Sequence, residues 1–164
     1  MKKTVFCFVL IIGIVLSLSS CLFLIPRTFK MDVDKNVSED QNVTVVFSNG
    51  GSGLFIVKEW NSKKIVDDLY GNKSIGGNDK TKLTVPAGNN SFTFDLYFTI
   101  GNQYRTTTYT FKDIELRYNM EPGNEYQIKS RAKLAGLLKG YEFYVEIYDK
   151  TGNTLLKDWK LGES

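Results

Sequence analysis

Three features of this 164-residue sequence predict an all-β fold, an antiparallel β-sandwich of about nine strands behind an N-terminal apolar segment. Apolar residues recur with period two through most of the chain beyond residue 42. Turn-forming residues break that alternation at short intervals, as they do in sandwiches and barrels. Helical periodicity is nearly missing: only 132–138, with Ala132, Lys133, Leu134 and Leu137, offers a helix, of about two turns.

Taken in order, 42–47 opens the alternation with Val43, Val45 and Val46. Segments 54–60 and 64–69 read as a hairpin across Asn61-Ser62-Lys63, and 82–85 is a short strand. The clearest strand is 92–100, with Phe92, Phe94, Leu96, Phe98 and Ile100 on one face and Thr93, Asp95, Tyr97 and Thr99 on the other. Gly101-Asn102 suits a two-residue hairpin turn into 103–111. Ile114, Leu116, Tyr118 and Met120 alternate again, and 125–133 follows. In 141–148, Tyr141, Phe143, Val145 and Ile147 claim the core side; the loop Asp149-Lys150-Thr151-Gly152-Asn153, with a bulge-type glycine, leads into 154–161. About 20 large apolar side chains face inward at ~1.5–3 kcal/mol each, enough for a core without disulfides.

The N-terminus has a different layout. Met1-Lys2-Lys3 is basic and 4–18 is an almost unbroken apolar run, the pattern of a secretory signal. The run ends in Leu18-Ser19-Ser20-Cys21, which resembles the lipobox of bacterial lipoproteins. The resemblance implies a diacylglyceryl group on the Cys21 sulfur, cleavage just before it, and an exported domain anchored to the cell membrane or outer membrane. It covers residues 1–21 only. Apolar sequence continues as Leu22-Phe23-Leu24-Ile25, so the alternatives are an uncleaved helix over 5–25, long enough at ~1.5 Å per residue to cross a ~30 Å hydrocarbon core, and ordinary signal cleavage. Cleavage removes Lys2 and Lys3, and the formal charge falls from +3 to +1. Residues 1–20 are thus expected to be signal peptide, 21–41 a polar tether and 42–164 the β-sandwich.

Met120-Glu121-Pro122-Gly123-Asn124-Glu125-Tyr126-Gln127-Ile128 resembles the corner before the penultimate strand of fibronectin-III and related immunoglobulin-like sandwiches. The resemblance implies that Tyr126 begins a strand with its hydroxyl bonded back to the corner backbone. It implies nothing about function. Val85-Pro86-Ala87-Gly88-Asn89 is a second Pro-to-Gly turn into a strand.

Composition narrows the chemistry. There is no histidine, and the two cysteines are Cys7 and Cys21, so from Leu22 onward the chain has neither imidazole nor thiol. That removes His-based acid–base catalysis, Ser-His and Cys-His nucleophiles and His/Cys zinc sites. A balance of 21 Lys and Arg against 18 Asp and Glu does not suggest a nucleic-acid partner. Asn49-Gly50-Gly51-Ser52-Gly53 lacks the Lys-Ser/Thr tail of a phosphate loop, and Asp32, Asp34 and Asn36 lack the glycine and distal glutamate of a calcium loop. No metal or cofactor is expected. Asp67-Asp68, or Glu115 with Glu121, are the candidates for a glycosidase-type pair.

Aromatic residues are the better lead. Tyr97, Tyr144 and Tyr148 lie opposite the apolar stripes, interleaved with Asp95, Glu142 and Glu146, and exposed tyrosines beside acids can stack on sugars or anchor a protein. The expectation is a non-catalytic, membrane-tethered envelope lipoprotein that binds or assembles with a protein or glycan. Its alternatives are a small exported carboxylate-dependent hydrolase and a permanent structural subunit of an envelope complex.

Overall fold

Ten strands in two sheets, one short α-helix and a 3-10 turn at Glu39–Gln41 make up the computed structural model of the chain, which describes residues 26–32, 38–49, 53–101, 105–136, 140–150 and 152–162. The expected signal segment and Cys21 lie outside the described residues. The elements are β1 (Thr28–Asp32), β2 (Asn42–Ser48), β3 (Gly53–Trp60), β4 (Lys63–Lys64), α1 (Val66–Tyr70), β5 (Lys80–Pro86), β6 (Gly88–Gly101), β7 (Thr106–Met120), β8 (Glu125–Gly136), β9 (Gly140–Tyr148) and β10 (Leu155–Lys160). One sheet has six strands in the order β1-β5-β2-β8-β9-β10, and the other four in the order β4-β3-β6-β7.

The two sheets meet through aromatic side chains. Phe47 of β2 packs edge-on against Phe55, Phe92 and Phe94 of the four-stranded sheet, each at 5.6 Å. Phe98 lies 4.6 Å from Phe143 of β9. The expected inward stripe of β6 is fully buried from Phe92 to Phe98, as are Val45, Leu83, Ile128 and Ile147 opposite. Such edge-to-face pairs contribute ~0.5–1.5 kcal/mol beyond their burial and fix the spacing between the layers.

Four local expectations change. The six-stranded sheet is mixed, because β1 pairs β5 and β2 pairs β8 in parallel. Residues 28–32, expected in the tether, form a strand. Phe29 is buried against Tyr70, at 5.2 Å, and the buried Asp79 carboxylate accepts from the Arg27 and Gly76 N–H groups, at 2.8 and 2.7 Å, and from the Arg27 guanidinium. Residues 28–32 therefore belong to the six-stranded sheet. The second arm of the hairpin at 64–69 is not a strand. Asn61 and Ser62 both take positive φ, 46° and 64°, and make a two-residue turn. Pairing stops after Lys64, and α1 buries Leu69 and Tyr70 behind Ile65 while Asp67 and Asp68 face water. Lastly, the strands expected at 103–111 and 114–120 are not separate: 106–120 is one strand, β7, bent at a bulge where Asp113 has φ 53° and donates its N–H to Asp95. The helical alternative near 132 is also set aside: β8 runs through Gly136.

The free edge of β3 is closed by side chains. The Phe55 N–H donates to Asn49 Oδ1 at 2.7 Å, and the Val57 N–H to the Tyr70 hydroxyl at 3.2 Å, itself 2.9 Å from Thr81 Oγ1. Asn49, at the start of the glycine-rich loop, thus caps an edge that would otherwise recruit another strand. At the other end of the domain Tyr126, buried at the start of β8, accepts the Glu121 N–H on its hydroxyl at 3.0 Å.

Candidate functional site

Two outward surfaces carry the residues of interest. On the six-stranded sheet, β8 and β9 register Lys129 opposite Glu146, Arg131 opposite Tyr144 and Lys133 opposite Glu142. A basic column therefore stands beside a column of alternating acids and tyrosines. The Arg131 guanidinium lies 4.3 Å from the centre of the Tyr144 ring, and Lys129 Nζ 4.4 Å from that of Tyr148. Tyr144 donates to Glu142 and Tyr148 to Glu146, each at 2.9 Å, and Glu146, buried in the ladder, also accepts from Arg131. The hydrogen bond to Glu142 raises the Tyr144 hydroxyl above its ordinary pKa; burial, then the bond to Glu146, does the same for Tyr148. Both rings are half-buried under cations.

Tyr97 does not join them. It projects from the outer face of β6 in the four-stranded sheet, across the core from Tyr144 and Tyr148, beside the Lys58–Asp95 ion pair. The three tyrosines therefore make two surfaces and not one.

The second surface lies on the four-stranded sheet, at the end where β6 begins and β7 ends. A cleft of about 590 Å³ is lined by Asn61, Ser62, Asn89, Ser91, Glu115, Arg117 and Asn119, among others. The β3–β4 turn forms one wall: Asn61 exchanges backbone and side-chain bonds with Ser91, at 2.8 Å each. The floor is an Arg117–Glu115 fork, with Nε and Nη2 donating at 2.7 and 3.0 Å and Ser91 Oγ adding a third bond at 2.8 Å. Arg117 first, then Ser91, lowers the Glu115 pKa and holds it ionised. Asn89 and Asn119 face each other across β6 and β7.

No protein-family model, no curated protein and no solved structure matches the chain.

The cleft thus has to be read from its own groups. Amides, hydroxyls and a neutralised guanidinium–carboxylate fork offer donors and acceptors in planar pairs, matching the adjacent hydroxyls of a sugar or the backbone of a peptide. Among the described residues no group of three or more His, Cys, Asp or Glu is placed to hold a metal ion, and no helix is long and apolar enough to cross a membrane. Of the candidate acids, Asp67 is ion-paired to Lys64 on the exposed face of α1, Glu115 lines the cleft, and Glu121 sits at the corner accepting from Asn124. Sequence reasoning centred on aromatics and passed over Asn61, Asn89, Arg117 and Asn119. Their signal was available in the outward parity of β6 and β7, where polar residues replace the threonines of the other end.

Proposed function

We propose that the chain is a non-catalytic lipoprotein of the bacterial envelope, exported, tethered through Cys21, and serving as a binding or assembly module for a protein or glycan. Its domain is read as an immunoglobulin-like sandwich, a reading supported by the Tyr126 hydroxyl on the Glu121 N–H. The observation that carries the functional reading is the polar cleft of Asn61, Asn89, Glu115, Arg117 and Asn119, whose exposed amides sit around a fork already neutralised within the protein. A ligand of hydroxyls or amides can be recognised there without burying an unpaired charge.

The hydrolase alternative has weaker support. A glycosidase acid must hold a proton at neutral pH, and Arg117 drives Glu115 the other way. A permanent structural subunit would use the same surfaces and differ only in the lifetime of its complexes.

The test is capture by the full chain from detergent extract of its own envelope, with protein and glycan fractions assayed separately. Arg117→Ala with Asn119→Ala is expected to lower capture at least ten-fold, with Tyr144→Ala plus Tyr148→Ala probing the other face. Capture that survives both double variants would refute the reading.

A further inference from the structure

The hydrogen bonds at the cleft fix which way the backbone of β7 faces. The Asn61 N–H donates to the Ser91 carbonyl and the Ser91 N–H to Asn61 Oδ1, both at 2.8 Å, so the Ser91 backbone points toward β3 and away from β7. Its neighbours Asn90 and Phe92 then point toward β7, where they stand opposite Tyr118 and Leu116. Tyr118 and Leu116 spend their backbone groups on β6. Those of Glu115, Arg117 and Asn119 face the open edge, because β7 is the last strand of its sheet. Glu121 keeps the same direction: its N–H leaves β6 and meets the Tyr126 hydroxyl.

The neighbouring edge positions are closed and these three are not. Asn49 and Tyr70 take the N–H groups of Phe55 and Val57 on the far edge of the sheet, and Tyr126 takes that of Glu121. Among the described residues nothing bonds the backbone of Glu115, Arg117 or Asn119 on the open side, and all three residues are exposed. They are also residues whose side chains line the Asn61–Arg117 cleft. Three unpaired peptide groups ~6.8 Å apart therefore run along one side of the cleft. The bulge at Asp113, whose N–H turns back to Asp95, ends the run. On the inner side Ile114 and Tyr118 are only half-buried, and a further strand would complete their cover. On the outer side Arg117 and Glu115 neutralise each other, so an uncharged polar side chain fits there better than a charged one.

We infer that the partner of this cleft is an extended segment of another protein, which pairs as a fifth strand with β7 at Glu115, Arg117 and Asn119. Its side chains alternate, uncharged polar ones toward the cleft and apolar ones toward Ile114 and Tyr118. A second copy of this chain suits the edge less well. β7 packs on β8 and β9, with Tyr118 5.7 Å from Tyr126 and Phe111 5.2 Å from Phe143, so β10 continues the six-stranded sheet past it. Two copies joined through β7 would bring two such overhangs beneath one joint, and a lone extended segment brings none. The inference rests on the reading of the cleft as the binding site, and narrows its partner from protein or glycan to a protein strand.

Amide hydrogen exchange of the full chain in detergent micelles, followed residue by residue by NMR, tests it. Without a ligand the amides of Glu115, Arg117 and Asn119 should exchange about ten-fold faster than those of Leu116 and Tyr118, or more. The probe is a pool of capped octapeptides that alternate Ser, Thr, Asn or Gln with Val, Ile or Leu. It should slow the three edge amides by about ten-fold, and the same pool with every amide N-methylated should leave them unchanged. No slowing, or equal slowing by the N-methylated pool, overturns the inference. Slowing that appears without peptide as protein concentration rises assigns the edge to a second copy, and overturns it too. Envelope capture that is lost in the Arg117→Ala with Asn119→Ala variant, in a chain whose edge amides no peptide slows, sustains the cleft as a binding site and overturns the strand alone.

Discussion

Replacing Asp79 with alanine should release the N-terminal strand. The carboxylate is 5% exposed and accepts from two backbone N–H groups, Arg27 and Gly76, and from the Arg27 guanidinium at 2.8 Å. Hydrogen bonds to a charged group contribute ~1.5 kcal/mol each, so the two backbone bonds amount to about 3 kcal/mol. The guanidinium is half-exposed, and screening by water leaves its ion pair at about 0.5 kcal/mol. For a domain of this size ~1 kcal/mol corresponds to ~4 °C, which places the expected fall in Tm near ~14 °C. Circular-dichroism melts of the 26–164 fragment measure it, and Asp79→Asn, which keeps an acceptor, should lose about half as much. Burial acts to raise the Asp79 pKa, but the Gly76 and Arg27 donors outweigh it and the carboxyl lies below its ordinary value. A depressed carboxylate stabilises the fold fully above the unfolded-state pKa and ceases to do so as pH falls through the folded one. The difference between wild type and Asp79→Asn should thus be constant from pH 7 to 5 and shrink below about pH 4. A melting temperature within 1 °C of wild type at pH 7 would refute the clamp.

Two other changes separate structural from surface roles. Tyr126→Phe removes the acceptor of the Glu121 N–H and should lower Tm by several degrees, about 1–2 kcal/mol, without changing capture of any partner; an unchanged melt would remove Tyr126 from the corner. Arg131→Ala leaves Glu146 buried without its cation and uncovers the Tyr144 ring, and should cost about 2 kcal/mol by chemical denaturation, with Arg131→Lys costing less; equal stability of wild type and Arg131→Ala would show that the ladder is not coupled.

Much of the sheet architecture was legible because period-two alternation is a direct record of which face is buried, and β6 from Phe92 to Phe98 obeys it at every step. What escaped notice depended on partners distant in sequence. Residues 27–32 join the fold because Phe29 packs on Tyr70 and Asp79, 52 positions on from Arg27, supplies an acceptor, and both partners lie far along the sequence. The parallel pairing of β2 with β8 joins segments some 80 residues apart, beyond the reach of turn chemistry. At α1, the spacing of Ile65 and Leu69 is compatible with both periods over so short a run, and pairing ends after Lys64 where the chain turns into α1 and buries Leu69 and Tyr70. Of the candidate site, the outward parity of Tyr144 and Tyr148 could be read, but not the cations that cover them. Those come from β8, in register through a hairpin. Tyr97 had the same parity, and only the assignment of strands to sheets sends it to the opposite surface.

The most direct test of the account is the chemical state of the mature N-terminus. The protein, extracted with detergent from the membranes of cells making the full chain, is digested, and its N-terminal peptide is sequenced by mass spectrometry. The expected result is a chain beginning at Cys21 and carrying a diacylglyceryl thioether, with Cys21→Ala accumulating as unmodified precursor. An unmodified Cys21, in a chain starting elsewhere and maturing identically in the Cys21→Ala variant, would contradict it.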